Sequence, residues 1–226
     1  MENTILSAQS VTKRVQTAEH ELVILNDVSL SVLAGQSIAI VGPSGAGKST
    51  LLGLLAGLDS PSKGQIYLAG KEITAMDEEG RAAVRRDFVG FVFQTFQLLS
   101  SLTALENVAL PMELAGDPLA DEQARNFLSK VGLSERLSHY PKQLSGGEQQ
   151  RVAIARAFAC QPKILFADEP TGNLDRKTGQ HICDLLFDLN HESETTLVLV
   201  THEQRLADRC DTIVTIDDGR IVENYA

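Results

Sequence analysis

Ile38-Ala-Ile-Val41-Gly42-Pro43-Ser44-Gly45-Ala46-Gly47-Lys48-Ser49-Thr50-Leu51-Leu52 joins a short apolar run to a glycine-rich loop, then to leucines at helical spacing. An apolar run closed by glycine predicts a buried strand, and Leu51, Leu52 and Leu55 mark one face of a helix over 49–56. Between them, Gly42 to Ser49 fits the pattern G-x-x-x-x-G-K-[ST] in the order strand, loop, helix. Glycines let the backbone curl with its N–H groups facing inward, and the helix start adds the positive end of its dipole. The Lys48 ammonium can reach β and γ phosphates, and the Ser49 hydroxyl suits Mg²⁺. Gly42, Pro43, Ser44, Gly45, Ala46, Gly47, Lys48, Ser49 and Thr50 are therefore the expected cradle of a nucleoside triphosphate with Mg²⁺.

Further along, Ile164-Leu-Phe-Ala-Asp168-Glu169 is another apolar strand, ending in two carboxylates. Acids at the carboxyl edge of a parallel sheet lie where such sheets bind ligands. Asp168 is expected to hold Mg²⁺ through its water shell, and Glu169 to polarise the attacking water as general base.

Strand and helix patterns alternate around these two segments, which predicts an α/β fold. Gln65–Leu68, Phe88–Phe93 and Leu197–Val200 read as strands, and Thr178–Asn190 as a helix. Ile213–Ile216 and Arg220–Val222 flank Asp-Asp-Gly, a hairpin turn signal. Ile5–Val32 alternates apolar and polar residues, as an antiparallel sheet does. Thr103–Arg136 carries two amphipathic helical patterns broken by Gly116-Asp-Pro118. The expected organisation is one domain over 1–226: a core from about 1–94 and 161–226, with a helical insertion at about 95–160.

Composition limits the classes available. Of the 226 residues, 43% are apolar, enough for a full core, so a disordered chain is excluded. The formal net charge of −10 repels phosphate backbones and argues against nucleic acid as main partner. Cys160, Cys183 and Cys210 have no metal-ligand or redox spacing and are expected as buried or half-buried thiols. The N-terminal residues have neither the charged nor the apolar region of a signal peptide. The uncharged stretches Val28–Gly47 and Phe88–Leu105 hold too many glycines, serines, threonines and glutamines to span a membrane. A cytoplasmic chain is the expectation.

A second glycine motif, Leu144-Ser145-Gly146-Gly147-Glu148-Gln149-Gln150-Arg151, precedes a helical pattern over Arg151–Phe158. Ser145 with Glu148 three residues on fits a capping box, and the glycine pair exposes N–H groups at a helix start. Following a phosphate loop, this motif resembles the signature of ATP-binding cassette ATPases, and the resemblance spans about residues 5–223. It implies a head-to-tail dimer in which Ser145, Gly146 and Gly147 act in trans on ATP and Mg²⁺ held by the second copy. It further implies that Gln94 is the Q-loop glutamine, sensing Mg²⁺ and the attacking water. Asp175, in Gly172-Asn-Leu-Asp175, matches the loop that crosses the dimer interface, and His202 matches the switch histidine at the γ-phosphate. Glu169, His202, Lys48 and Gln94 form the implied catalytic set, and Ser49, Gln94 and Asp168 the implied metal set.

One position departs from the family pattern. The aromatic residue that stacks on adenine would fall at or near Val15, yet no Phe, Trp or Tyr precedes Tyr67. Weak discrimination between ATP and GTP follows, and His20 is an alternative stacking group. Gly90-Phe-Val-Phe-Gln-Thr-Phe-Gln-Leu-Leu99 and Asp168-Glu-Pro-Thr-Gly-Asn-Leu-Asp175 narrow the resemblance to the group of the lipoprotein-release and macrolide-efflux ATPases. That group implies an ATPase dimer on the inner face of the membrane, docked on permease subunits and used for efflux, lipoprotein handling or envelope remodelling. Phe93, Phe96, Leu98 and Leu99 are expected around the docking surface. The alternatives are a division-type regulator and a soluble cassette acting apart from transport.

Overall fold

The computed structural model describes residues 3–16 and 21–225. In chain order its elements are β1 (Thr4–Gln16), β2 (Glu21–Leu33), β3 (Ser37–Val41), α1 (Lys48–Leu55), β4 (Lys63–Leu68) and β5 (Lys71–Glu72). Then come α2 (Glu78–Phe88), β6 (Val89–Phe93), α3 (Ala104–Leu114), α4 (Ala120–Lys130), α5 (Gly146–Ala159) and β7 (Ile164–Asp168). The chain ends with α6 (Arg176–Ser193), β8 (Thr196–Val200), α7 (Gln204–Ala207), β9 (Thr212–Asp217) and β10 (Arg220–Tyr225).

Two sheets form. One is antiparallel, in the order β2-β1-β4-β5. The other runs β10-β9-β3-β8-β7-β6, parallel throughout except for the β9–β10 pair. Its central strands β7 and β8 are apolar without alternation because both faces are covered. Successive side chains of a strand point to opposite faces. Leu165, Ala167, Leu197 and Leu199 therefore join the core under α3, α4, α5 and α6. Ile164, Phe166, Val198 and Val200 join the opposite core, which α1 and the antiparallel sheet cover. The chain has an α/β fold with an antiparallel part, as the sequence pattern predicts.

The two sheets are locked together at the β9–β10 turn. Asp218 and Gly219 both have positive φ, the conformation a two-residue hairpin loop requires. Asn26 N–H donates to Gly219 O at 2.8 Å, and a Cβ on Gly219 would lie 2.4 Å from Ile24 O. Only glycine allows β2 to sit this close.

Three expectations change. The helix after the glycine pair begins at Gly146, five residues before the predicted start at Arg151, because the Ser145 cap already fixes its first turn. The helix α2 was not predicted. Its polar sequence hides it, yet Asp77 caps it, Glu78 and Glu79 occupy its first turn, and Arg85 and Arg86 its last. The long β1–β2 pair is interrupted by register shifts, with Ser10 and Asp27 at positive φ, so its alternation is not continuous. Cys183 is buried, Cys160 and Cys210 are half-buried, and burial raises all three thiols, those of Cys183 and Cys210 to about 11 and about 12. Among the described residues, no helix is long and apolar enough to cross a membrane.

Candidate nucleotide site

The loop between β3 and α1 is held in one shape by its neighbours. Gly42 has φ +147°, and a Cβ there would fall 2.0 Å from Ile216 O on β9. The loop thus rests directly on the sheet backbone. At its far end, Gly47 lies against Ile24 and Leu25 of β2, so the antiparallel sheet forms one wall of the loop. Gly47 is the N-cap of α1 and has no side-chain acceptor, which leaves the first N–H groups of α1 to an incoming anion. Lys48 Nζ donates to the Gly42 and Pro43 carbonyls, both at 2.9 Å, and is folded back over the loop.

The paired acids arrive from β7. Ser49 Oγ donates to Asp168 Oδ1 at 3.2 Å. Burial raises the Asp168 carboxyl, opposed by that hydrogen bond and by the Lys48 charge. Glu169 sits at φ +47°, an uncommon conformation for a side chain of this kind, fixed by its N–H donating to Val200 O at 2.9 Å. Its Oε2 directly contacts His202 Nδ1, so the histidine is oriented by the neighbouring acid. Gln94, just past β6, pairs with Asn173: its Nε2 donates to Asn173 Oδ1 at 3.2 Å, and Asn173 Nδ2 donates back to Gln94 O at 3.0 Å.

Together these residues enclose a cavity of about 410 Å³, lined by Ile24, Ser44, Gly45, Gly47, Lys48, Ser49, Thr50, Gln94, Glu169 and His202. The carboxyl ends of β3, β6, β7 and β8, far apart in sequence, meet at one sheet edge, with Ile24 of β2 beside them. Ser145, Gly146, Gly147 and Asp175 lie outside this lining and form a second cluster. Ser145 caps α5 with the full capping box to Glu148. A Cβ on Gly147 would lie 2.5 Å from Thr178 Cγ2, and one on Gly146 would lie 3.3 Å from Leu174 Cδ2. The start of α5 is thus packed against the start of α6, where Asp175 accepts from Lys177 N and Thr178 N, both at 3.1 Å.

Several supporting residues had not been singled out from sequence. Arg156 donates to Gln97 O at 2.6 Å and Phe96 O at 3.1 Å, holding a segment whose Phe96 and Gln97 both have positive φ. The buried Gln150 donates to Pro170 O at 2.7 Å, tying α5 to the loop after Glu169. Asn107 donates to Leu99, Leu102 and Thr103 carbonyls and shapes the turn into α3. The sequence around these residues gives no local signal of such long-range bonds. Val15 lies on β1 with its side chain 40% exposed, beside exposed Leu22 and Val23, so the expected adenine surface is aliphatic. His20 lies outside the described residues.

The cassette fold and this loop, acid and glutamine constellation define an ATP-binding cassette. Residues 25–172 match the ABC transporter family, and the chain belongs to that family as an ATP-binding subunit. It is 54% identical to the ABC transporter ATP-binding protein YbbA of Escherichia coli (strain K12), over 97% of each chain. It is 47% identical to the lipoprotein-releasing system ATP-binding protein LolD of Legionella pneumophila (strain Paris), over 98% of each. In structure it matches the ATP-binding cassette MJ0796, described as a dimer in a post-hydrolysis state bound to ADP and Pi. The TM-score is 0.89 at 39% identity, over 97% of each chain. The chain is thus an ABC transporter ATP-binding subunit of the YbbA and LolD type.

Proposed function

We propose that two copies of this chain hydrolyse MgATP at shared sites and drive membrane permease subunits from the inner face of the membrane. The observation that carries this is the separation of the two glycine motifs. The phosphate loop, Glu169, His202 and Gln94 share one cavity, with Asp168 bonded to Ser49 beside it, whereas Ser145, Gly146 and Gly147 of the same chain lie outside it. A helix start whose first N–H groups have no partner within the helix, set outside its own chain's cavity, suits ATP held by a second copy. The dimeric state of MJ0796 supports the pairing of two copies.

The donor set fits Mg²⁺: a hydroxyl and a carboxylate oxygen 3.2 Å apart, hard ligands that leave the remaining positions to water and phosphate oxygens. When bound, the ion neutralises charge on the β and γ phosphates. Lys48 moves from its loop carbonyls to the phosphates. Glu169 accepts the proton of the attacking water while the oxygen bonds to the γ-phosphorus and the bond to the β-phosphate oxygen breaks, giving ADP and phosphate. His202, held at Nδ1 by Glu169, keeps Nε2 available to the γ-phosphate. Gln94 orients the water and links the cavity to the neighbouring surface. The partner's signature N–H groups meet charge where it develops.

The permease is assigned to a groove of about 770 Å³ between the edge strand β6 and α3. Phe91, Pro111, Met112 and the 77% exposed Leu114 give it an apolar floor, and Arg86, Asp87 and Arg156 give it polar edges. That is the composition a docked amphipathic helix needs. Phe93 stacks on Phe91 beside this groove, Leu98 packs into the core, and Leu99 is exposed, so the expected docking residues divide between core and surface.

The test is gentle solubilisation of native membranes with the tagged chain, in parallel with Glu169→Gln. A stoichiometric polytopic membrane protein should co-purify, and the variant should bind ATP, dimerise and hydrolyse poorly. A partner that is purely soluble, or turnover undiminished in Glu169→Gln, refutes the corresponding part of the proposal.

A further inference from the structure

We infer that Thr171 and Glu203 are positioning residues that set the geometry between Glu169 and His202. This rests on the proposed roles of those two residues. Glu169 follows β7 and His202 follows β8, two adjacent parallel strands. The first loop is tied to α5 by Gln150 Nε2 donating to Pro170 O at 2.7 Å and to β6 by the Gln94–Asn173 pair, but none of these bonds reaches the loop of His202. Past Glu169 the chain turns through Gly172 N–H to Glu169 O at 3.0 Å, and past Thr201 through Glu203 N–H to Thr201 Oγ1 at 3.0 Å.

Two links join the loops to each other. One is the Glu169–His202 contact itself. The other lies behind it: Thr171 Oγ1 donates to Glu203 Oε1 at 2.6 Å. Thr171 stands two residues after Glu169, and Glu203 one residue after His202. The second link therefore crosses the same gap one step away from the cavity.

Thr171 is 6% exposed, and its two functions separate by atom. A Cβ on Gly179 of α6 would lie 3.6 Å from the Thr171 methyl, so this methyl is packed against the helix. The hydroxyl faces Glu203. A short hydrogen bond to a carboxylate is roughly twice as strong as a neutral one. It acts on a pair whose first member is held at positive φ, where small shifts of the loop redirect the carboxylate. Neither Thr171 nor Glu203 lines the cavity. Removing the link should leave binding intact and misplace the acid.

The experiment compares Thr171→Val, Thr171→Ser, Glu203→Ala and Glu169→Gln in the full chain. Steady-state ATPase rates, fluorescent-nucleotide affinity and thermal melting are measured on each. Thr171→Val and Glu203→Ala should lower kcat about 10- to 100-fold, the size of effect that misplacement of a catalytic group produces. KM for ATP should stay within about twofold, since ground-state binding is untouched. Thr171→Ser keeps the hydroxyl and should restore most of kcat although it loses the methyl. A double variant combining Thr171→Val with Glu203→Ala should be no slower than the slower of those two alone, because both remove one bond. Wild-type kcat in Thr171→Val, equal loss in Thr171→Ser, or a loss that appears in KM and affinity overturns the inference. Turnover retained in Glu169→Gln would instead overturn the base assignment beneath it, so the two failures are distinct.

Discussion

The hydroxyl of Ser49 meets the carboxylate of Asp168 at 3.2 Å, joining the first turn of α1 to the end of β7 across 119 positions of sequence. Burial makes this carboxylate harder to ionise, and Ser49 and Lys48 only partly offset that. An acid whose native pKa is raised keeps its proton in the folded chain at pH values where the unfolded chain has lost it. Stability therefore falls as pH rises from the ordinary 3.8 through the native value, and at neutral pH the ionised group opposes folding. Asp168→Asn should leave the nucleotide-free melting temperature at pH 7 unchanged or higher. The same variant should lose Mg²⁺-dependent phosphate release by about 100-fold or more. A melting temperature several degrees lower would contradict this account.

The Gly147–Thr178 approach gives a second expectation. A Cβ on Gly147 would lie 2.5 Å from Thr178 Cγ2. Gly147→Ala should destabilise the chain by about 1–3 kcal/mol, the usual cost of overpacking. Thr178→Ser removes the offending methyl and should return most of that stability in urea unfolding. On the proposed role of Gly147 in trans it should not return ATPase activity, because a side chain still replaces the glycine at the position assigned to the second copy's nucleotide. Recovery of both together would mean the glycine serves packing alone.

The cap of the signature helix is sensitive to acid. Glu148 is lowered to about 2, first by the Ser145 backbone N–H, then by the Ser145 hydroxyl and Arg136, against the opposing effect of burial. A depressed carboxyl contributes stability that is complete above its ordinary value of 4.5 and is lost as pH falls towards about 2. The stability difference between the wild-type chain and Glu148→Gln should be positive at pH 5, smaller at pH 3, and gone near pH 2. Urea unfolding at those three pH values measures it. A difference that does not change with pH would remove the charge from the account.

The aliphatic surface at Val15 predicts nucleotide preference. Stacking of a base on an aromatic side chain is worth about 1–3 kcal/mol, and this chain has no such residue there. ATP and GTP should compete on nearly equal terms. Val15→Tyr, at a position 40% exposed on β1, should be tolerated and should tighten ATP binding about 5- to 100-fold. Strong ATP preference in the unaltered chain, measured by competition, would show that another contact reads the base.

How far the sequence could be read depended on the range of the interaction. The loop from Gly42 to Ser49, the strand ending in Asp168 and Glu169, and the Ser145–Glu148 box are local patterns, and each folds as its own residues dictate. The helix α2 is also local, yet it was missed because its hydrophobic face is nearly absent: Val84 is its one buried side chain. Its capping Asp77 and the charges at its two ends were the legible signal. The bonds from Arg156 to the Phe96 and Gln97 carbonyls, or from Gln150 to Pro170, carry no local mark. An arginine or glutamine on a helix looks alike whether it faces water or anchors a distant loop.

By itself, the sequence determined the α/β alternation, the phosphate loop and the pair of acids, because period, glycine placement and capping are set by neighbours along the chain. It also revealed the family, since each motif has its residues in a short run. The tertiary structure alone decided which motifs share a cavity. It placed Gln94, Glu169 and His202 around Lys48 and left Ser145 to Gly147 packed against Thr178 instead. It also decided that Thr171 and Glu203 meet. Those relations depend on the order of strands in the sheet, which brings β6, β7, β8 and β3 side by side regardless of their distance in sequence.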